Sequence, residues 1–473
     1  MSNIITIRDI NLGGKADSMY QGIKNSVSEI VGFDLHSEPG VLKVNQKLTK
    51  ESGSTVDDFV KVILPCSDGN TYLFGSTNGK IWKRTSAGVY SLEATASPAA
   101  GGAGILDAKE QDGYIYYAMQ SRLGRVAVGA PTDWTSRNDS WATFTNTDSE
   151  FHPMEEQNQV LYIGDKNYIA QVDAGVFSAD ALDFASSFRV KCLGTYLTDL
   201  LVGTFVNVYV AIARIFRWNT WDTDSYQSSD PIPAIGINSF LHSDNLVLVN
   251  CGRKGDLYYY NGAQLELYKK IPGDWSGSNE AQIHPNASCN CNGIPLFGLS
   301  NISGNPATEG IYSLGGHSAS YPKVLAIENI ISTGHSSSVE IGAIELVGTT
   351  LLVSWKDTTS GTVYGIDKLD TTAKVSSAYF ETRVINIARN QSKSMSGYIG
   401  YRSLPTGTSI KIYYKANYAS SYTEMTDTRV DTDRKIIEVN GRFPDASTLQ
   451  LKIEAVSNAN TAPEIDVVEF SFD

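Results

Sequence analysis

"DGNTYLFGSTNGKIWKRTSAGVYSL" (residues 68–92) reads as turn, strand, turn, strand, turn, strand. Asn78-Gly79 is a hairpin signal, because both residues tolerate the positive φ that a two-residue turn requires. Ser86-Ala87-Gly88 supplies the next turn. A meander this small cannot bury its apolar faces alone, so the stretch requires a neighbour of the same kind.

The chain supplies such neighbours. Similar turn–strand–turn–strand units start near Gln111, Gln157, Thr198, Ser243, Cys291 and Val347. Their spacing of roughly 45 residues suits four-stranded propeller blades. Apolar runs such as "DFVKVIL", "GINSFLH" and "IGAIELV" precede the turns and are expected to line the axis. Radial stacking buries both faces of each sheet, and closing the ring leaves only short edges. The expected fold is all-β: a seven-bladed β-propeller over residues 49–375, followed by a C-terminal antiparallel β-sandwich over residues 376–473. In the sandwich, strictly alternating strands place Tyr413, Ile453 and Val467 in the core. Residues 1–48 form an N-terminal arm. Within it, "MYQGIKNSVSEIVGF" (19–33) is either a short helix or an arm laid on a neighbour. "EPGVLKVNQKL" (38–48) either closes the ring as an outer strand, through Val41–Val44, or is a tether.

Composition narrows the function. Of 473 residues 41% are hydrophobic, while Gly 41 and Tyr 25 favour turn-rich β structure. A formal charge of -13 disfavours a nucleic-acid-coating surface, which would be basic. No run of about 18 apolar residues predicts a membrane span. The N-terminus lacks a basic head followed by an apolar run, so the expected site of synthesis is a cytoplasm. Five scattered cysteines do not make a disulfide framework, and the lone C-x-C at Cys289 and Cys291 is weak metal evidence.

No catalytic constellation stands out. The six histidines do not pair at metal spacing. There is no P-loop, G-x-G-x-x-G before a helix, G-x-S-x-G or H-E-x-x-H. "SDGNTY" at 67–72 resembles part of the Asp-box of sialidase-like propellers, but its register differs and it reads as turn chemistry. The expectation is therefore no enzyme, no metal and no cofactor. One stretch, "RWNTWDTDSYQSSD" (217–230), places Trp218, Trp221 and Tyr226 beside Asp222 and Asp224. Rings that stack on sugars, next to acids that bind hydroxyls, are the ingredients of a glycan site. The alternative is a polar loop whose aromatics pack on the blade edge.

The order of parts carries a resemblance. Gly13-Gly14, Phe33-Asp34 and Pro39-Gly40-Val41-Leu42-Lys43 resemble the opening of tail-associated β-propeller proteins of tailed bacteriophages. "YFETRVINI", "YRSLPTGTSIKIYYKAN" and "APEIDVVEFSF" are similar to their closing domain. The resemblance implies a structural virion protein, a tail nozzle or tail-tube component made in the host cytoplasm. Its partners would be copies of itself in a ring, typically a hexamer, and other tail or portal-adaptor proteins. DNA would pass through the channel without specific binding. The expected interface is the apolar set Ile5, Ile7, Ile10, Ile23, Val27 and Ile30, which no blade accommodates. The competing class is a carbohydrate-binding or carbohydrate-cleaving propeller, such as a receptor-binding adhesin using the 217–230 loop.

Overall fold

The computed structural model describes every residue except 1, 2, 8, 17, 21, 98–101, 103, 207–211, 222–224, 233, 235, 244, 245, 253, 254, 263, 272–282, 301–308, 319–321, 334–338, 388–393, 444, 445 and 473. The chain divides into two compact units. One comprises Met1–Thr49, Gly310–Gly334 and Leu369–Asp473; the other comprises Lys50–Glu309 and His335–Lys368.

The second of these units is a β-propeller arrangement with six four-stranded antiparallel blades. Their innermost strands are Val60–Pro65, Asp107–Gln111, Met154–Gln157, Phe188–Tyr196, Ile237–Ser243 and Val339–Val347. The hairpin Ser288–Cys291 with Ile294–Leu299 packs between the fifth blade and the last. Period-2 alternation explains the stacking, because successive side chains point to opposite faces. Tyr117 joins the core between the first and second blades, whereas its neighbour Tyr116 joins the core between the second and third. Leu200 and Leu201 divide in the same way between the flanking cores of the fourth blade. Each such burial contributes about 1.5–3 kcal/mol.

The ring closes between the last blade and the first. Ile63, Leu73 and Trp82 pack against Ala343, Leu352 and Ile366. The Ser354 hydroxyl donates to the Val60 carbonyl at 2.7 Å and accepts from the Ala343 amide at 2.7 Å. The outermost strand of the last blade is Gln46–Lys50, which lies beside Val363–Lys374. A strand from the N-terminal side therefore completes this blade, but it is not Val41–Val44. Leu42–Val44 pairs instead with Phe33–Asp34 and Glu464–Phe472.

The other unit contains two sheets around one core. In one sheet, Glu464–Phe472 pairs with Ser394–Ser403 on one side and with Asn3–Ile7 and Leu42–Val44 on the other. In the second, Glu29–Val31 lies between Val324–Asn329 and Ser377–Glu381. The shared core joins Val27, Ile30, Phe33 and Val44 to Ile399, Ile412, Ile453 and Val468. This corrects two expectations. Residues 19–33 contain no helix among those described; the short helix lies earlier, at Ile10–Gly13. Residues 1–48 are part of this unit's core, not a separate arm. Of the three expected core residues, Ile453 is fully buried, but Tyr413 and Val467 are half-buried while their neighbours Ile412 and Val468 are buried. A one-residue slip in register exchanges the two faces of a strand.

Candidate axial site

The innermost strands converge on a cavity of about 410 Å³. It is lined by residues from all six blades and the extra hairpin, among them Leu64, Lys109, Glu155, Leu193, Phe240 and Glu345. Asp107 and Asn286 hold its wall. The Asn286 amide donates to Asp107 Oδ1 at 2.8 Å. The Met154 amide donates to Asp107 Oδ2 at 2.7 Å, and the Ala108 amide to Oδ1 at 2.8 Å. The Asn286 carbonyl in turn accepts from Ile344. One carboxylate thus ties the second blade to the third and, through Asn286, to the last. Burial raises the Asp107 carboxyl to about 6, against the three donors that favour its charged form.

The remaining polar groups are mixed in sign. Lys109 lies 3.5 Å from Glu155. Burial raises the Glu345 carboxyl and pushes the Cys289 thiol up to about 12, so that thiol is not a nucleophile near neutral pH. Among the described residues no group of three or more His, Cys, Asp or Glu is placed to hold a metal ion. No helix among them is long and apolar enough to cross a membrane.

Four innermost strands carry a β-bulge at matching places: Val60/Val62, Val190/Cys192, Ile237/Ser239 and Ile341/Ala343. A bulge re-aims the side chain it carries. The residues so placed are Lys61, Lys191, Asn238 and Gly342. Lys61 and Lys191 line a cleft with His152, His284 and Asn286, and Lys191 Nζ donates to Asn238 Oδ1 at 2.8 Å. Sequence motifs did not mark these positions, because the groups come from separate blades. A signal was nevertheless present: a lysine interrupts the apolar runs "FVKV" and "RVKC" at corresponding places.

The 217–230 aromatics separate. Trp218 is 1% exposed and packs edge-on against Tyr162, so it is core and cannot contact a sugar. Tyr226 packs on Phe184 and Phe216. Trp221 is 81% exposed. Asp222 and Asp224 lie outside the described residues. The stretch leads to Ser228–Pro231, the outermost strand of its blade and thus far in strand order from the axis.

The expected interface set also separates. Ile10, Val27 and Ile30 are buried in their own unit's core, which corrects the view that nothing in the chain accommodates them. Ile7 is half-buried and packs on the same core. Ile5 lies in the strand paired with Glu464–Phe472. Ile23 is well exposed, at 56%.

No protein-family model and no curated protein matches the sequence. Solved structures do show similarity. A streptogramin B lyase aligns over 69% of this chain and 98% of its own, with 14% identity and a TM-score of 0.47. Virginiamycin B lyase from Staphylococcus aureus aligns over 68% and 98%, with 13% identity and a TM-score of 0.48. The Neurospora crassa Pan2 WD40 domain aligns over 72% and 99%, with 7% identity and a TM-score of 0.43. Similarities this distant carry no argument about activity.

Proposed function

We propose that this chain is a non-catalytic structural protein of a phage tail, a nozzle or tail-tube component forming an oligomeric ring around the DNA channel used in genome ejection. The observation that supports it best is the sequence resemblance of Gly13-Gly14, Phe33-Asp34 and Pro39-Gly40-Val41-Leu42-Lys43 to the opening of tail-associated β-propellers. The segment that carries it is built into a folded unit, where Leu42–Val44 pairs with Glu464–Phe472.

Two finer readings of the fold belong to this proposal. The propeller has seven blades, as the spacing of the sequence units suggests; the hairpin Ser288–Cys291 with Ile294–Leu299, packed between the fifth blade and the last, is read as part of the additional one. The two sheets sharing one core in the other unit are read as a β-sandwich.

The propeller axis is not the DNA path. A cavity of 410 Å³ has room for only about a dozen waters, and the Asp107–Asn286 bond is part of its wall. The channel therefore lies between copies, six in the reading favoured here, with other tail or portal-adaptor proteins at its ends. A net charge of -13 keeps DNA phosphates from adhering, since their binding depends on neutralisation by Lys and Arg. Imaging of the parent particle tests this directly: density for this chain in a tail ring supports it, and absence from the particle refutes it.

Trp221, 81% exposed, favours a second reading, a glycan-binding adhesin. A glycan array comparing wild type with Trp221→Ala separates the two, because only the adhesin loses signal.

A further inference from the structure

We propose that one mouth of the propeller axis is a binding site for a small tetrahedral oxyanion, of which inorganic phosphate is the simplest. The site is made by the bulged lysines Lys61 and Lys191 together with His284. All three line one cleft, and each comes from a different part of the ring.

Lys61 and His284 each leave a need unmet. Lys61 packs against the Phe59 ring, with Nζ 5.8 Å from its centroid, and has no ion-pair partner among the described residues. Burial holds its ammonium below the usual pKa, opposed by Glu340 and reinforced by Lys356. Glu340 is already engaged by Lys356 at 2.9 Å. One Glu340 carboxylate thus faces two ammonium groups, Lys61 and Lys356, and the excess secluded positive charge is unfavourable. The ring of His284 packs edge-on against Phe59. Its Nε2 is buried and lies 3.8 Å from Glu340 Oε2, longer than a normal hydrogen bond, and His284 and Lys356 together hold the Glu340 carboxyl down to about 2. Burial lowers the imidazole to about 4, so it is neutral near pH 7 and has one N–H to donate. A tetrahedral oxyanion satisfies both: it is a counter-charge for Lys61 and an acceptor for His284.

The surrounding charges permit it. Lys191 adds a second ammonium, held by Asn238 and lying over the rings of Phe151 and Phe205. Of the nearby acids, Glu150 is exposed, Asp107 is occupied by its three donors, and the charge of Glu340 is met by Lys356 at 2.9 Å. A β-bulge that turns a lysine out of an apolar strand in two blades is a costly arrangement to keep for packing alone.

The test is calorimetric titration of the full chain with inorganic phosphate at constant ionic strength, for wild type, Lys61→Met and Lys191→Met. Wild type should show saturable binding, and phosphate should raise its melting temperature. Each variant should bind at least about ten-fold more weakly. In phosphate-free buffer Lys61→Met should melt no lower than wild type, because a matching apolar side chain replaces an unpaired cation. The absence of saturable heat with wild type overturns the proposal, as does wild-type affinity in both variants.

Discussion

Asn286 donates its side-chain amide to Asp107 at 2.8 Å although 179 residues separate them. The bond joins the second blade to the hairpin before the last, so it reports whether the ring is assembled. Asp107→Asn removes one of two acceptor oxygens serving three donors and should cost about 1–3 kcal/mol. The effect depends on pH. The folded carboxyl sits at about 6, above its ordinary 3.8, so the folded state binds the proton more tightly. Wild-type stability should therefore fall as pH rises from about 4 to about 6, by ~3 kcal/mol at most. The asparagine variant lacks this slope. Urea denaturation at both pH values checks it, and parallel curves would sink the idea.

Ring closure should be as sensitive at Ser354, whose hydroxyl serves both Val60 and Ala343. Ser354→Ala strands buried backbone groups and should cost about 1–3 kcal/mol. Gly342→Ala at the same seam should cost at least as much, because a Cβ would lie 2.1 Å from the Val60 carbonyl oxygen. Chemical denaturation of both variants measures this; a loss under about 0.5 kcal/mol in each means the seam does not hold the ring.

Glu51 follows the closing strand and accepts two hydrogen bonds from Arg84, at 2.6 and 2.9 Å, and one from the Tyr90 hydroxyl at 2.8 Å. Burial opposes its charge, but Arg84 and Tyr90 more than offset that and hold the carboxyl below 4.5. Its contribution is therefore full above about pH 4.5 and is lost as pH falls through the lower folded value. Glu51→Gln should cost about 3–5 kcal/mol at pH 7, since it leaves Arg84 buried without its partner. The difference from wild type should shrink in acid. A pH-independent difference contradicts this.

The N-terminal residues should behave according to their burial. Ile30→Asp places an unpaired charge in a core where Ile30 is 0% exposed and should cost more than about 4 kcal/mol. Ile23→Asp, at an exposed position, should change stability by no more than about 0.5 kcal/mol. Residues 376–473 expressed alone lack Ile30, Phe33, Leu42 and Val44 from their core, so their NMR spectrum should be poorly dispersed. A well-dispersed spectrum would show that the N-terminal strands are dispensable.

Much of the propeller was legible because its signals are local. A turn does fall at Asn78-Gly79, but the connection is four residues, 76–79, and of the two only Gly79 takes positive φ, at 70; Gly69 and Gly88 also take positive φ. The closing strand was not, because Gln46–Lys50 buries only Leu48 and carries almost no apolar alternation. The weaving of Glu29–Val31 between Val324–Asn329 and Ser377–Glu381 was equally hidden, since pairing at such separation leaves no local trace. Trp218 misled because composition shows that an aromatic is present but not which face it occupies. Asp107, Lys61 and His284 were missed for a related reason: the ring assembles them from strands far apart in sequence.

The central claim is that the working form is a ring of copies around a channel. Native mass spectrometry of the purified full-length chain, with images of the same sample, tests it most directly. The account predicts a discrete closed oligomer, six copies in the favoured reading, with a central opening wide enough for duplex DNA. A strict monomer, in a protein also absent from the particle's tail, would contradict it.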